Sequence, residues 1–319
     1  MKLQTRIPQI KATCPIDYDS RVFVVGSCFS ENIGKKLAHF KFRSFQNPLG
    51  ILFHPVAIEN LITRAVQNSH YSDKDIFLMN ARWQTFEAHS SIGEVSKEQL
   101  LRRLDQNVRA TRLQLEQATH VIITLGTAWV YTHVASQQIV ANCHKVPQKE
   151  FSKELLSVDT IVDSLKNIVN QVHGLNDRAK FIFTVSPVRH LKDGFVENQR
   201  SKAHLITAVH EVIENENINS AVYFPSYELL MDELRDYRFY DSDMVHPSTL
   251  AIDYVWERFK LAWISPSVFS VMDEIDTIQK GLGHRPFHGD SEAHLNFKKL
   301  LQTKIEKLRQ SYPFMNFEG

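Results

Sequence analysis

Apolar residues along the chain fall into two patterns. Four short runs, 22–25, 121–125, 181–185 and 221–224, are continuous, rich in β-branched or aromatic residues, and stopped by turn signals. Strands of that length and continuity are buried on both faces, as in parallel sheets. Between them, over 31–40, 97–118, 158–173 and 201–215, apolar residues return at helical spacing. The alternation predicts a doubly wound α/β domain, a parallel sheet with helices on both faces. A further helix is expected over 249–263, opened by Pro247 and Ser248. From Phe77 to Gly93 the periodicity lapses. That stretch, with Trp83, His89, Ser90 and Ser91, reads as a long loop or small hairpin over the sheet edge, within a lid-like insertion at about 68–95. Beyond Pro266, a loop at 281–286 precedes a charged helix over about 291–309, with Leu295, Leu300, Leu301, Ile305 and Leu308 as its apolar positions. The expected organisation is a main domain over 1–265 and a C-terminal helical appendage over 266–319.

Composition narrows the partners. With 319 residues and 43% hydrophobic content, the chain can bury more than one small domain needs. Thirty-seven basic residues nearly balance 36 acidic ones, a net charge of +1, so there is no electrostatic reason to expect nucleic acid or an anionic membrane. A small or neutral substrate fits better. Cys14, Cys28 and Cys143 are odd in number and lack CxxC spacing, which argues against a disulfide framework or a zinc ribbon. The N-terminal residues lack a signal-peptide core, and no later apolar run reaches membrane-spanning length. Together these point to a cytoplasmic protein; oligomeric state is not readable.

Open parallel sheets bind ligands beyond the carboxyl ends of their strands. Here those ends carry Gly26-Ser27, Gly126-Thr127, and Ser186-Pro187 followed by Arg189-His190. Ser27 lies between a strand and a helix, where first-turn N–H groups favour negative charge. It is either a helix cap or a nucleophile. A serine nucleophile needs a base and a group that orients the base. Asp243-Met244-Val245-His246 supplies both within one turn.

Several segments together resemble a known family. Gly26-Ser27-Cys28-Phe29-Ser30 resembles the signature of the GSCFA family, a group related to SGNH or GDSL-like hydrolases, with Ser30 at the family's alanine. Residues 47–51, 124–129, 142–147, 186–190 and 243–248 resemble it too, so the likeness spans about 20–260. It implies an SGNH-hydrolase, flavodoxin-like three-layer sandwich with a central parallel sheet and a C-terminal helical appendage. It also implies Ser27 as nucleophile, Asp243 and His246 as the rest of a triad, and Gly50 N–H beside Ser27 N–H in the oxyanion hole. The third block departs from the SGNH pattern. Gly126-Thr127-Ala128-Trp129 stands where Gly-x-Asn-Asp is expected, and Ala128 has no side-chain donor. Losing one such donor costs about 100- to 1000-fold in rate, so a replacement is expected from Thr127, Asn142 or Asn47. Asn142 is favoured because Cys143 and His144 make its surroundings a polar cluster.

Other chemistries remain open. Cys28 could serve as a thiolate at the helix N-terminus, or simply be a small buried residue. His144, His190, His246, His284 and His288 raise a metal site, but no HExxH or Cys/His cluster accompanies them, and the expectation is no metal and no cofactor. Arg189, His190, Lys192 and Arg200 could bind a substrate carboxylate or phosphate, or form a solvated basic face. Gly126 belongs to no GxGxxG or Walker sequence. The expected function is a serine-dependent ester hydrolase or O-acyltransferase acting on acyl esters of a carbohydrate or small molecule. The alternative is a non-catalytic binding protein that keeps the fold.

Overall fold

A computed structural model describes residues 4–8, 11–215, 218–284 and 292–317. The strand β1 (Arg21–Gly26) runs into α1 (Cys28–His39) and β2 (Arg43–Gln46). Helix α2 (Pro55–Gln67), the hairpin β3 (Phe77–Met79) and β4 (Arg82–Gln84), and α3 (Lys97–Gln117) lead to β5 (His120–Leu125). Next come β6 (Trp129–His133), β7 (Gln138–Val140), β8 (Phe151–Leu155), α4 (Val158–Leu175), β9 (Lys180–Val185), α5 (Phe195–Ile213) and β10 (Ala221–Tyr223). The short α6 (Ser226–Glu228) continues as a π-helical stretch, Leu229–Leu234, before α7 (Thr249–Trp263), α8 (Phe269–Gly283) and α9 (Glu292–Ser311).

All four expected strands form, and β2 joins them. They pair in parallel in the order β10-β9-β5-β1-β2. Because side chains alternate across a strand, the sheet sorts its residues into two cores. Phe23, Val25, Val121, Ile123, Leu125, Phe181, Phe183 and Val185 pack with α2, α3, α4 and α5. Val22, Val24, Ile122 and Ile182 belong to the opposite layer with α1, α7, α8 and α9. The result is a three-layer α/β arrangement.

Two elements were silent in the sequence for physical reasons. Strand β2 is Arg-Ser-Phe-Gln on the sheet edge, half-exposed, with no apolar run. The antiparallel sheet β7-β6-β8 is largely half-exposed, and its strands, Trp-Val-Tyr-Thr-His on β6 and Phe-Ser-Lys-Glu-Leu on β8, carry neither a long apolar run nor a clean alternation. Helix α2 did carry signals, Pro55 at its first turn and Ile58, Leu61, Ile62 and Ala65 at helical spacing. The segment expected as a loop or hairpin contains β3 and β4, and its flanks seat Tyr71, Ile76, Ala88 and Ile92 in the first core. Helix α9 buries Leu301, Ile305 and Leu308, whereas Leu295 and Leu300, expected on the same face, are exposed. Residues 285–291, including His288 and Pro286, lie outside the described residues. Among those described, no helix is long and apolar enough to cross a membrane.

Candidate active site

Read in chain order, the central strands follow 2-1-3-4-5, which puts the topological switch between β1 and β5. Gly26-Ser27 and Gly126-Thr127 leave the sheet on its two sides. Gly26 has φ +141°, and a Cβ there would lie 2.2 Å from Thr124 O, so only glycine fits. Ser27 follows at once, fully buried, as the N-cap of α1. Its Oγ accepts from Phe29 N–H at 3.3 Å. The cap and nucleophile readings therefore coexist, because capping uses a lone pair and leaves the hydroxyl proton. That proton has no acceptor among the described residues.

The amides expected in the oxyanion hole are engaged elsewhere. Ser27 N–H donates to Thr124 O at 3.0 Å, and Gly50 N–H to Asn47 O at 2.8 Å. Asn47 itself is held by Gly26 N–H and Ser30, at 3.0 and 3.1 Å. Thr127 Oγ1 accepts from Trp129 N–H and lies 3.1 Å from Ser201 Oγ, which accepts from Ala128 N–H at 2.7 Å. Asn142 Oδ1 accepts from His144 N–H at 2.8 Å. His144 is buried with its Nε2 2.6 Å from Thr85 O, and burial lowers its pKa. Thr127, Asn142, His144 and His190 line one cavity of about 670 Å³ together with Phe53 and Trp129. Ser27, Gly50, Asp243 and His246 are not among its described lining residues.

The Asp243–His246 turn forms as its spacing requires. Asp243 Oδ1 accepts from Val245 N–H and His246 N–H at 2.8 and 2.9 Å, and Oδ2 lies 2.6 Å from His246 Nδ1. These hydrogen bonds, the backbone N–H of His246 foremost, hold the Asp243 pKa down to about 2. The pair sits on an exposed loop ahead of α7, whose N-cap is Ser248. Ser27 and His246 share no hydrogen bond among the described residues.

A family model described as the GSCFA family matches residues 21–259. The chain belongs to the GSCFA family. A second model, GSCFA domain protein, C-terminal domain, matches residues 275–319. No curated protein matches the chain.

In this GSCFA chain, Arg189 turns toward the loop rather than only toward solvent. Its backbone N–H donates to Val245 O and its Nη1 to Met244 O, both at 3.1 Å. Its guanidinium also lies over the rings of Phe195, Tyr240 and Tyr237 at 5.3 to 5.9 Å. Lys192 and Arg200 are exposed, and Lys192 lines the cavity. Among the described residues, no group of three or more His, Cys, Asp or Glu converges as a metal site would require.

The residue that sequence reasoning missed is Lys202. It is 1% exposed, and its ammonium donates to Gly126 O and Ser186 O, each at 2.7 Å, at the ends of β5 and β9. Burial pushes its pKa down to about 7. A signal existed: Asn198, Ser201, Lys202, Leu205, Ala208, Val209 and Val212 form the buried stripe of α5, and a lysine on such a stripe needs buried partners. Ser201 and Asn198 serve the same loops, Asn198 accepting from His190 N–H at 2.9 Å. Cys28 is half-buried, and burial raises its thiol pKa, with Lys202 opposing. That is the reverse of the shift an activated thiolate needs.

Proposed function

We propose that this GSCFA-family chain is a serine-dependent ester hydrolase or O-acyltransferase of the SGNH type, with Ser27 as nucleophile, His246 as base and Asp243 as its orienting acid. The observation that carries the reading is the Asp243–His246 pair. A carboxylate fixed by two backbone N–H groups accepts Nδ1 at 2.6 Å, which leaves Nε2 with its lone pair for a serine proton. In this scheme His246 takes the Ser27 proton as Oγ attacks the acyl carbonyl. The tetrahedral intermediate then collapses, the alcohol leaves with the proton from His246, and the acyl group stays on Ser27. Water or a sugar hydroxyl repeats the sequence in reverse. Hydrogen bonds between catalytic groups commonly tighten only in the substrate complex. Of the two partners, His246 is exposed and Ser27 is buried.

The cavity beside Gly126, with Trp129 and Tyr131 for a sugar or acyl face and Asn142 and His190 for polar groups, supports an acyl ester, such as an acetyl ester, of a carbohydrate or small molecule. The test is a serine-directed fluorophosphonate together with a panel of short acyl esters. Labelling and turnover should both disappear in Ser27→Ala. The second reading is a binding protein that keeps the fold without catalysis, favoured by the engagement of Ser27 N–H and Gly50 N–H in backbone hydrogen bonds. It predicts ligand binding with no covalent labelling and no turnover across the panel.

A further inference from the structure

The third oxyanion donor, missing from the Gly126-Thr127-Ala128 loop, has a candidate on the neighbouring strand end. Nε2 of His190 is buried and has no hydrogen-bond partner among the described residues. Such an atom is available to a ligand that supplies its partner. Its position is defined from two sides. The His190 backbone N–H is held by Asn198 Oδ1 at 2.9 Å, and its ring meets Phe53 edge-on, centroids 5.7 Å apart at 85°. A methyl group built on Gly126 would lie 3.1 Å from Ser27 Cβ and 3.3 Å from His190 Nε2. Both contacts, and a third to Phe53 O at 3.1 Å, are tighter than a Cβ ordinarily makes, so glycine at 126 is what lets Ser27 and the His190 imidazole flank one stretch of backbone. His190 also lines the 670 Å³ cavity.

We infer that His190 is a catalytic residue of the ester chemistry proposed above, donating its Nε2–H to the oxyanion that forms when Ser27 attacks. The inference rests on that reading. No proton is transferred: the neutral ring lends one hydrogen bond to the developing charge and keeps its hydrogen through both half-reactions. A rival role, as the base that accepts the Ser27 proton, is disfavoured by the surroundings. Burial, Lys202 on α5 and His246 on the facing loop all oppose a positive ring and push its pKa down to about 3. A base in that range has little hold on a serine proton. His246 has a carboxylate to stabilise its cation, and His190 has none among the described residues.

The experiment uses the full chain, p-nitrophenyl acetate as substrate and a fluorophosphonate as the covalent probe. His190→Ala should lower kcat about 100- to 1000-fold with KM within about threefold, the split expected of a donor used only in the transition state. His190→Gln, which keeps a neutral N–H donor, should recover at least about tenfold of that loss. The acid limb of the pH profile should stay where the wild type has it. Unchanged kcat in His190→Ala, with Ser27→Ala inactive, overturns the His190 assignment and leaves the serine reading intact. Loss of the acid limb in both His190 variants also overturns it, because His190 would then be the base. Wild-type turnover or labelling in Ser27→Ala overturns the serine reading and the His190 role with it. If the alanine variant does not fold, ¹⁵N-histidine spectra of the wild type decide. Phosphonylation of Ser27 should shift one Nε2–H resonance downfield, and no shift overturns the inference.

Discussion

Replacing Lys202 with methionine should alter the pH dependence of stability as well as stability itself. The ammonium is buried against Gly126 O and Ser186 O at 2.7 Å, and burial pushes its pKa down to about 7. In the unfolded chain the same group titrates near 10.4. Between those values the unfolded state holds a proton that the folded state has released. Stability therefore rises with pH across that window, by up to about 1.4 kcal/mol per unit, and is flat below and above it. Over the whole window the group contributes roughly 4–5 kcal/mol of pH-dependent stability, of which about half falls between pH 7 and 9. Methionine keeps the length of the side chain but orphans two buried carbonyls. That loss is pH-independent, about 1–3 kcal/mol each, and is partly offset by removing a desolvated charge. Urea unfolding of both proteins at several pH values isolates the lysine as the difference between them. That difference, wild type minus variant, should climb by about 2–3 kcal/mol from pH 7 to 9. A flat difference would refute the reasoning and mean that the two carbonyls keep the ammonium charged.

Three further outcomes follow from the site. Asp243→Asn should cut kcat on a short acyl ester by about 10,000-fold by presenting the wrong tautomer to Ser27, with an unchanged thermal transition because the pair is exposed. Steady-state kinetics beside a thermal melt checks both halves. Arg189→Ala frees the loop from its bond to Met244 O; it should cost about 1 kcal/mol of stability yet slow fluorophosphonate labelling of Ser27 by about tenfold or more, read from labelling time courses. Gly50→Ala should lose about 2–4 kcal/mol, since Gly50 sits at φ +74° and a Cβ there would lie 2.5 Å from His89 Cβ; a urea midpoint near that of the wild type would contradict this.

What could be read from the chain depended on how local its cause was. Strands β1, β5 and β9 were legible because both of their faces are buried, and β2 was not, because an edge strand can be Arg-Ser-Phe-Gln. The Asp243–His246 turn was legible because three residues of separation decide it. The state of the Ser27 and Gly50 amides was not, since each donates to a carbonyl chosen by the pairing of β1 with β5 or by the Asn47 turn. Lys202 lies 76 residues from Gly126, and only the packing of α5 on β9 brings them together. Its place on an apolar stripe nevertheless marked it as buried. Ala128 has no side-chain donor, and the imidazole whose Nε2 lies beside Gly126 comes from the next strand end, a proximity that spacing along the chain does not encode. The third-layer helices hid differently: Leu300 and Leu301 are neighbours on α9, and which of them turns inward is decided by what they meet.

The layer behind α1 has a bearing on how the protein is made. Phe29, Ile33 and Leu37 of the helix capped by Ser27 share one buried cluster with Met272, Ile275 and Ile278 of α8 and with Leu301, Ile305 and Leu308 of α9. A ribosome has therefore finished Ser27, His190, Lys202, Asp243 and His246 before it has made the part of that cluster that α8 and α9 supply. Until α8 and α9 emerge, that cluster rests on earlier residues such as Val255, Trp256 and Phe259 of α7 with Tyr18 and Phe42, and part of its apolar surface faces water. The order of synthesis thus completes this apolar layer only after all five strands of the central sheet have been made.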